Sequence, residues 1–128
     1  MDTRRSEHAG AMSEVSNAMV ALHKEQFGRG PTRARSDFAG PDTLVCVLED
    51  ALLPAELKLV SLGQAASVRS TRAAYQLATA DQSIAAVEQI LGRRVVAFAS
   101  AVDPGANTVF ENFHFEAAVS TRGAPAAA

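Results

Sequence analysis

A helical stripe that runs through Gly92 straight into a strand limits the folds open to this chain. Apolar residues at Leu77, Ala80, Ile84, Val87 and Leu91 recur at spacings of three and four, the period of one helix face. Gly92 suits the left-handed position that follows a last helical turn. The next residues, Arg93–Ser100 (Arg-Arg-Val-Val-Ala-Phe-Ala-Ser), read as a buried strand. With so short a junction, the helix must turn back and pack on the sheet that the strand joins. The helix is predicted from about Val68 to Leu91, roughly 36 Å at the usual rise per residue, enough to lie across a whole sheet.

The segments before this junction supply the rest of a domain. From Ser13, a plausible N-cap, Val15, Met19 and Leu22 line one side of a first helix. Gly28 and Pro31 stop it, because Gly28 can take a left-handed cap and Pro31 cannot continue a helix. Thr32–Phe38 alternates Arg33, Arg35 and Asp37 against Ala34, Ser36 and Phe38, a strand with one charged face. After a Gly-Pro turn, Thr43–Leu48 is continuously apolar, so both its faces are expected to be covered in the centre of a sheet. Pro54 opens a short helix whose apolar side is Leu57, Val60 and Leu62, and Gly63 ends it. Thr108–Glu116 closes the order as a strand with Val109, Glu111, Phe113 and Phe115 on one side and Phe110 and His114 on the other.

At 128 residues the chain suits one domain with a real core. The expected division is a flexible segment over 1–12, an α+β domain over 13–116 and a loose Ala-rich tail over 117–128. The fold predicted is a two-layer domain in the order α-β-β-α-α-β-β, with a mainly antiparallel four-stranded sheet and the long helix packed on it. No apolar run approaches the ~20 residues of a spanning helix, and Met1–Gly10 shows no apolar stretch of a secretory signal. The protein is expected in the cytoplasm, either free or peripheral at the inner face of a membrane, with no insertion into it. A net charge of -2 gives no global pull toward nucleic acid.

Candidate chemistry is sparse. The single cysteine, Cys46, sits in an apolar run as a small hydrophobe, and His8, His23 and His114 show no metal-ligand spacing. No nucleophile, base and acid can be assembled from the spacing, so no catalytic residue, metal or cofactor is assigned. Arg29, Arg33 and Arg35 cluster at the first strand, and Arg69 and Arg72 share a helix face at i, i+3. They read either as solvated cations balanced by Glu49, Asp50, Glu56 and Glu88, or as an oxyanion site in which Arg33, Arg35, Arg69 and Arg72 converge.

Several motifs also resemble one bacterial family. The run Ser16–Arg35, the run Asp42–Glu49, Leu53–Glu56, Val68-Arg69 with Arg72, and Val87–Ser100 are similar to the C-subunit-like family of the sodium-translocating membrane potential-generating system, Mps for short. The likeness covers about residues 13 to 116. It implies a small protein associated with a membrane system that moves cations or dissolved inorganic carbon and sustains membrane potential. Carried over as motif positions for anion or partner binding, with no catalytic role, are Gly28, Gly30, Pro31, Arg33, Arg35, Glu49, Arg69, Arg72, Glu88 and Ser100. The chain departs from the family pattern at Leu53, where a Thr commonly caps the helix, and in its tail.

The leading expectation is therefore a non-enzymatic accessory protein that docks on a membrane protein, with an oxyanion sensor as the alternative. A homodimer is expected as well. Val45, Val47, Val96, Phe98 and Phe110 place apolar groups on both sheet faces, which a second copy could cover by joining faces or exchanging first helices.

Overall fold

The computed structural model describes residues 3–117. Its elements are α1 (Thr3–Phe27), β1 (Arg33–Phe38), β2 (Thr43–Glu49), α2 (Pro54–Ser61), α3 (Ala65–Leu91), β3 (Val95–Asp103) and β4 (Thr108–Phe115). The order α-β-β-α-α-β-β and the α+β class agree with the sequence reading. All strand pairs are antiparallel, and the sheet order is β1-β2-β4-β3, so the two hairpins meet through β2 and β4.

Alternation sorts the strand residues into two faces. On the covered face the register aligns three rows: Phe38, Leu44, Phe113 and Phe98; then Ser36, Cys46, Glu111 and Ser100; then Ala34, Leu48, Val109 and Val102. A polar row thus crosses the whole sheet between two apolar rows. Both long helices lie on this face, α1 against β1 and α3 against β3, and they touch each other. Met12, Val15 and Met19 of α1 and Val87 of α3 close the core over Leu44, Cys46, Leu48, Val109, Phe113 and Phe115.

Among the described residues no helix lies over the other face. Val45, Val47 and Phe110 are only half-buried there, which corrects the expectation that β2 would be covered on both sides. Its central position is as predicted. The strand β3, expected to be buried, is an edge: Val96 is 53% exposed, and Ala97, Ala99 and Ala101 face solvent. A bulge between Val95 and Ala97 shifts its register and turns Val96 outward.

The helices differ in extent from the pattern. The first begins at Thr3, ten residues before the predicted Ser13, so Ser13 lies mid-helix and caps nothing. Those added turns carry little apolar periodicity, yet Met12 is buried and His8 lies 6.1 Å from Phe38, ring centre to ring centre. The expected tail lies outside the described residues beyond Ala117. In α3 the buried side chains are Val68, Arg72, Ser83 and Val87, and Leu77, predicted in the stripe, is 83% exposed. Leu77 sits about a third of a turn away from the line through the buried residues. In α2 no residue is buried; of the apolar side expected there, Leu57 and, just past the helix end, Leu62 are exposed, and Val60 is half-buried.

Two devices fix the junction that organises the chain. Gly92 takes φ 63° in the left-handed region and donates its N–H to Glu88 O at 2.8 Å. The Glu88 carboxylate then accepts the N–H of Val95 at 2.9 Å, so the last turn of α3 holds the first residue of β3. Gly92→Ala is expected to lower the unfolding free energy by about 1–2 kcal/mol, the cost of a side chain in the left-handed region. Urea denaturation reads this directly, and a variant as stable as the parent would show that the junction imposes no such constraint.

Candidate functional site

The predicted site residues are spread over the fold and do not gather in one place. Gly28, Gly30 and Pro31 form the turn from α1 to β1. Gly28 has φ 78°, and a Cβ on Gly30 would stand 3.1 Å from Val20 O, so the loop needs both glycines for backbone reasons. Between them Arg29 donates to Asp50 O at 2.8 Å, to Leu52 O at 3.2 Å and to Asp50 Oδ2 at 2.7 Å. Asn107 completes this knot, donating to Asp50 Oδ1 and accepting the N–H of Leu52 at 2.8 Å. Hydrogen bonds from Thr32 and Arg29 hold the Asp50 carboxyl below its ordinary value.

Arg33 and Arg35 project from the open face of the sheet, where Arg33 pairs with Glu49 at 2.7 Å. Arg72 points the opposite way, into the helical layer, and is 1% exposed. Arg69 is exposed on α3, one turn before it. The four arginines therefore do not converge within one chain. Glu88 caps the α3–β3 junction, and Ser100 lies on the covered face, paired with Glu111.

Arg72 is held by three other elements of the chain. Its Nε donates to Glu56 Oε2 at 2.7 Å and its Nη2 to Glu56 Oε1 at 2.6 Å, a two-bond fork. Nη2 also donates to Ala51 O at 3.1 Å, and the guanidinium stacks 3.8 Å above the Phe27 ring centre. Glu56 in turn accepts the N–H of Leu53 at 2.8 Å, the half of a capping box that does not need a hydroxyl at Leu53. Burial acts to raise the Glu56 pKa, but Arg72 and that N–H outweigh it and the carboxyl is held low.

Beside Arg72 lies a second pair that sequence reasoning did not single out. His23, on the buried stripe of α1, donates from Nδ1 to Met19 O at 2.9 Å, which leaves Nε2 facing Glu111 Oε1 at 3.5 Å. Burial pushes the Glu111 carboxyl up to about 7, while Ser100 and the Arg72 guanidinium pull it the other way. Burial lowers the His23 pKa, with the Met19 carbonyl opposing and Arg72 adding to the fall. The pair therefore favours a protonated Glu111 beside a neutral imidazole at mildly acid pH. Ser100 Oγ is buried in the same row beside the Glu111 carboxylate and favours its ionised form. The signal was present in the pattern: His23 follows Met19 by four, Arg72 follows Val68 by four, and Glu111 shares parity with Val109 and Phe113.

Cys46, in the same row as Glu111, is fully buried, and burial pushes its thiol up to about 11, so it stays protonated filler. Next to the row, a groove of about 460 Å³ opens between α3 and β3. Its walls include Gln76, Leu77, Ala80, Val96, Phe98 and Ser100, and Gln76 Nε2 is buried there without a partner among the described residues. Among those residues no group of three or more His, Cys, Asp or Glu side chains is placed to hold a metal ion.

A buried Glu with a raised pKa carries a stability contribution that is present below its unfolded value of 4.5 and lost as pH rises through about 7. Glu111→Gln cannot ionise and escapes that loss. Its unfolding free energy relative to the parent is expected to rise in its favour by on the order of 2 kcal/mol between pH 5 and pH 8. Denaturation at both values checks this, and a difference independent of pH would contradict it.

No curated protein and no solved structure matches the chain. A sequence family described as Na+-translocating membrane potential-generating system (MpsC) matches residues 10–117. The match takes in the glycine turn, both arginine positions on β1, the Arg72 network and the Gly92 junction, nearly everything the structure describes. The chain belongs to the MpsC family.

Proposed function

We propose that the protein is a non-enzymatic accessory subunit of a membrane potential-generating system that translocates cations or inorganic carbon, docking from the cytoplasmic side on a membrane protein of that system. The observation that carries this reading is the family match over residues 10–117, whose description names a Na+-translocating membrane potential-generating system. No described helix is long and apolar enough to cross a membrane, so the reading assigns translocation to a partner. Arg72, Glu56 and His23, the groups best suited to chemistry, make their contacts with their own chain. The open sheet face supplies a surface for docking, with Val45, Val47 and Phe110 at its centre and Arg33 and Arg35 along one side. The oxyanion reading lacks a geometric basis, because Arg72 faces away from Arg33 and Arg35.

The test is affinity purification of the tagged chain from detergent-solubilised native membranes, alongside a Phe110→Lys variant and a deletion strain. An integral membrane transporter or one of its components is expected with the parent chain and reduced with the variant, and the deletion is expected to lower membrane potential. Repeated recovery of no membrane protein, together with a normal potential in the deletion strain, would overturn the proposal.

A further inference from the structure

The two edges of the sheet are built differently. β1 carries Arg33, Arg35 and Asp37, charges of the kind that keep a sheet edge from pairing with another chain. β3 runs nine residues and has no charged side chain from Val95 to Val102. Its outer edge, unpaired among the described residues, presents a row of backbone donors and acceptors that is a template for another extended chain. The groove under α3 lies along this same strand, and the Gln76 Nε2 that lines it is buried without a partner among the described residues. Leu77, 83% exposed, overhangs it. An added strand would place its inward side chains in the groove and its carbonyls within the chemistry that the Gln76 amide lacks.

We propose that β3 pairs antiparallel with β3 of a second copy about a two-fold axis at Ala99, joining two sheets into one. The strand is complementary to itself in this register. Phe98 of each copy lies opposite Ser100 of the partner subunit, a large side chain beside a small one, on the covered face where the groove has room. Ala97 lies opposite Ala101 of the partner subunit, and the two Ala99 residues meet at the axis, so the open face stays flat. Beyond Ala97 the bulge at Val96 advances the pairing by one residue, so at each end Arg94 comes opposite Asp103 of the partner subunit, and opposite charges fix the register. These matched ends favour a second copy over an unrelated peptide. The interface differs from the two expected from the sequence. Exchange of α1 is not needed to bury it, since Val15 and Met19 are already fully buried, and face joining would leave the β3 edge open.

Because Ala99 is exposed, a charged residue there is compatible with the folded chain. Sedimentation of the parent at high micromolar concentration is expected to show a dimer. Ala99→Lys and Ala99→Glu each place like charges face to face at the axis and are expected to weaken dimerisation at least about tenfold. An equimolar mixture of the two is expected to restore a dimer containing one of each, which also shows that both variants are folded. A monomeric parent, a dimer indifferent to both substitutions, or variants that stay monomeric when mixed would each overturn the proposal.

Discussion

The stacked and forked contact of Arg72 is the interaction on which the helical layer depends. A guanidinium that is 1% exposed is costly to bury unless each face and each donor finds a partner. Here one face lies on Phe27 of α1, the edge forks onto Glu56 of α2, and a remaining N–H reaches Ala51 after β2. One side chain of α3 thereby positions the end of α1, the start of α2 and the loop that leads into it. The short helix α2, with no buried residue of its own, has few other anchors. The charge of Arg72 also reaches His23 and Glu111, so the arrangement of the polar row is tied to the same residue.

Placing both long helices on one face has consequences for the rest of the surface. The covered face gains a polar row buried under the helical layer, which explains why Glu111 is pushed toward neutrality. The uncovered face keeps Val45, Val47 and Phe110 half-exposed. The β3 edge, beside the overhanging middle of α3, keeps its backbone unpaired among the described residues. Interior chemistry and exterior surface thus have distinct roles: the first holds elements together, and the second is where other chains can add.

Much of the architecture was legible because local signals agreed with one another. Gly92 marks the end of α3, alternation in Thr108–Phe115 sorts the last strand correctly, and Gly28 ends α1. What escaped depended on which elements become neighbours. An apolar run such as Val95–Val102 reads the same at an edge as in a sheet centre, and only the order β1-β2-β4-β3 distinguishes them. The polar row Ser36, Cys46, Glu111 and Ser100 comes from four strands and exists only once register is set. The arginine positions are another instance: residues 33, 35, 69 and 72 were identifiable as a set, but the orientation of Arg72 follows from α3 packing on the face opposite Arg33 and Arg35. Leu77 misled because a stripe counted from single spacings drifts around a helix as long as α3.

A double-mutant cycle between Arg72 and Glu56, using Arg72→Met, Glu56→Gln and the pair together, tests most directly whether this buried contact organises the helical layer. Each single change leaves the other group buried without its partner, and each is expected to be strongly destabilising. The double variant removes both at once and recovers part of the loss, giving a coupling of about 1–3 kcal/mol in unfolding free energy. Additive losses, or an Arg72→Met protein as stable as the parent, would contradict the account.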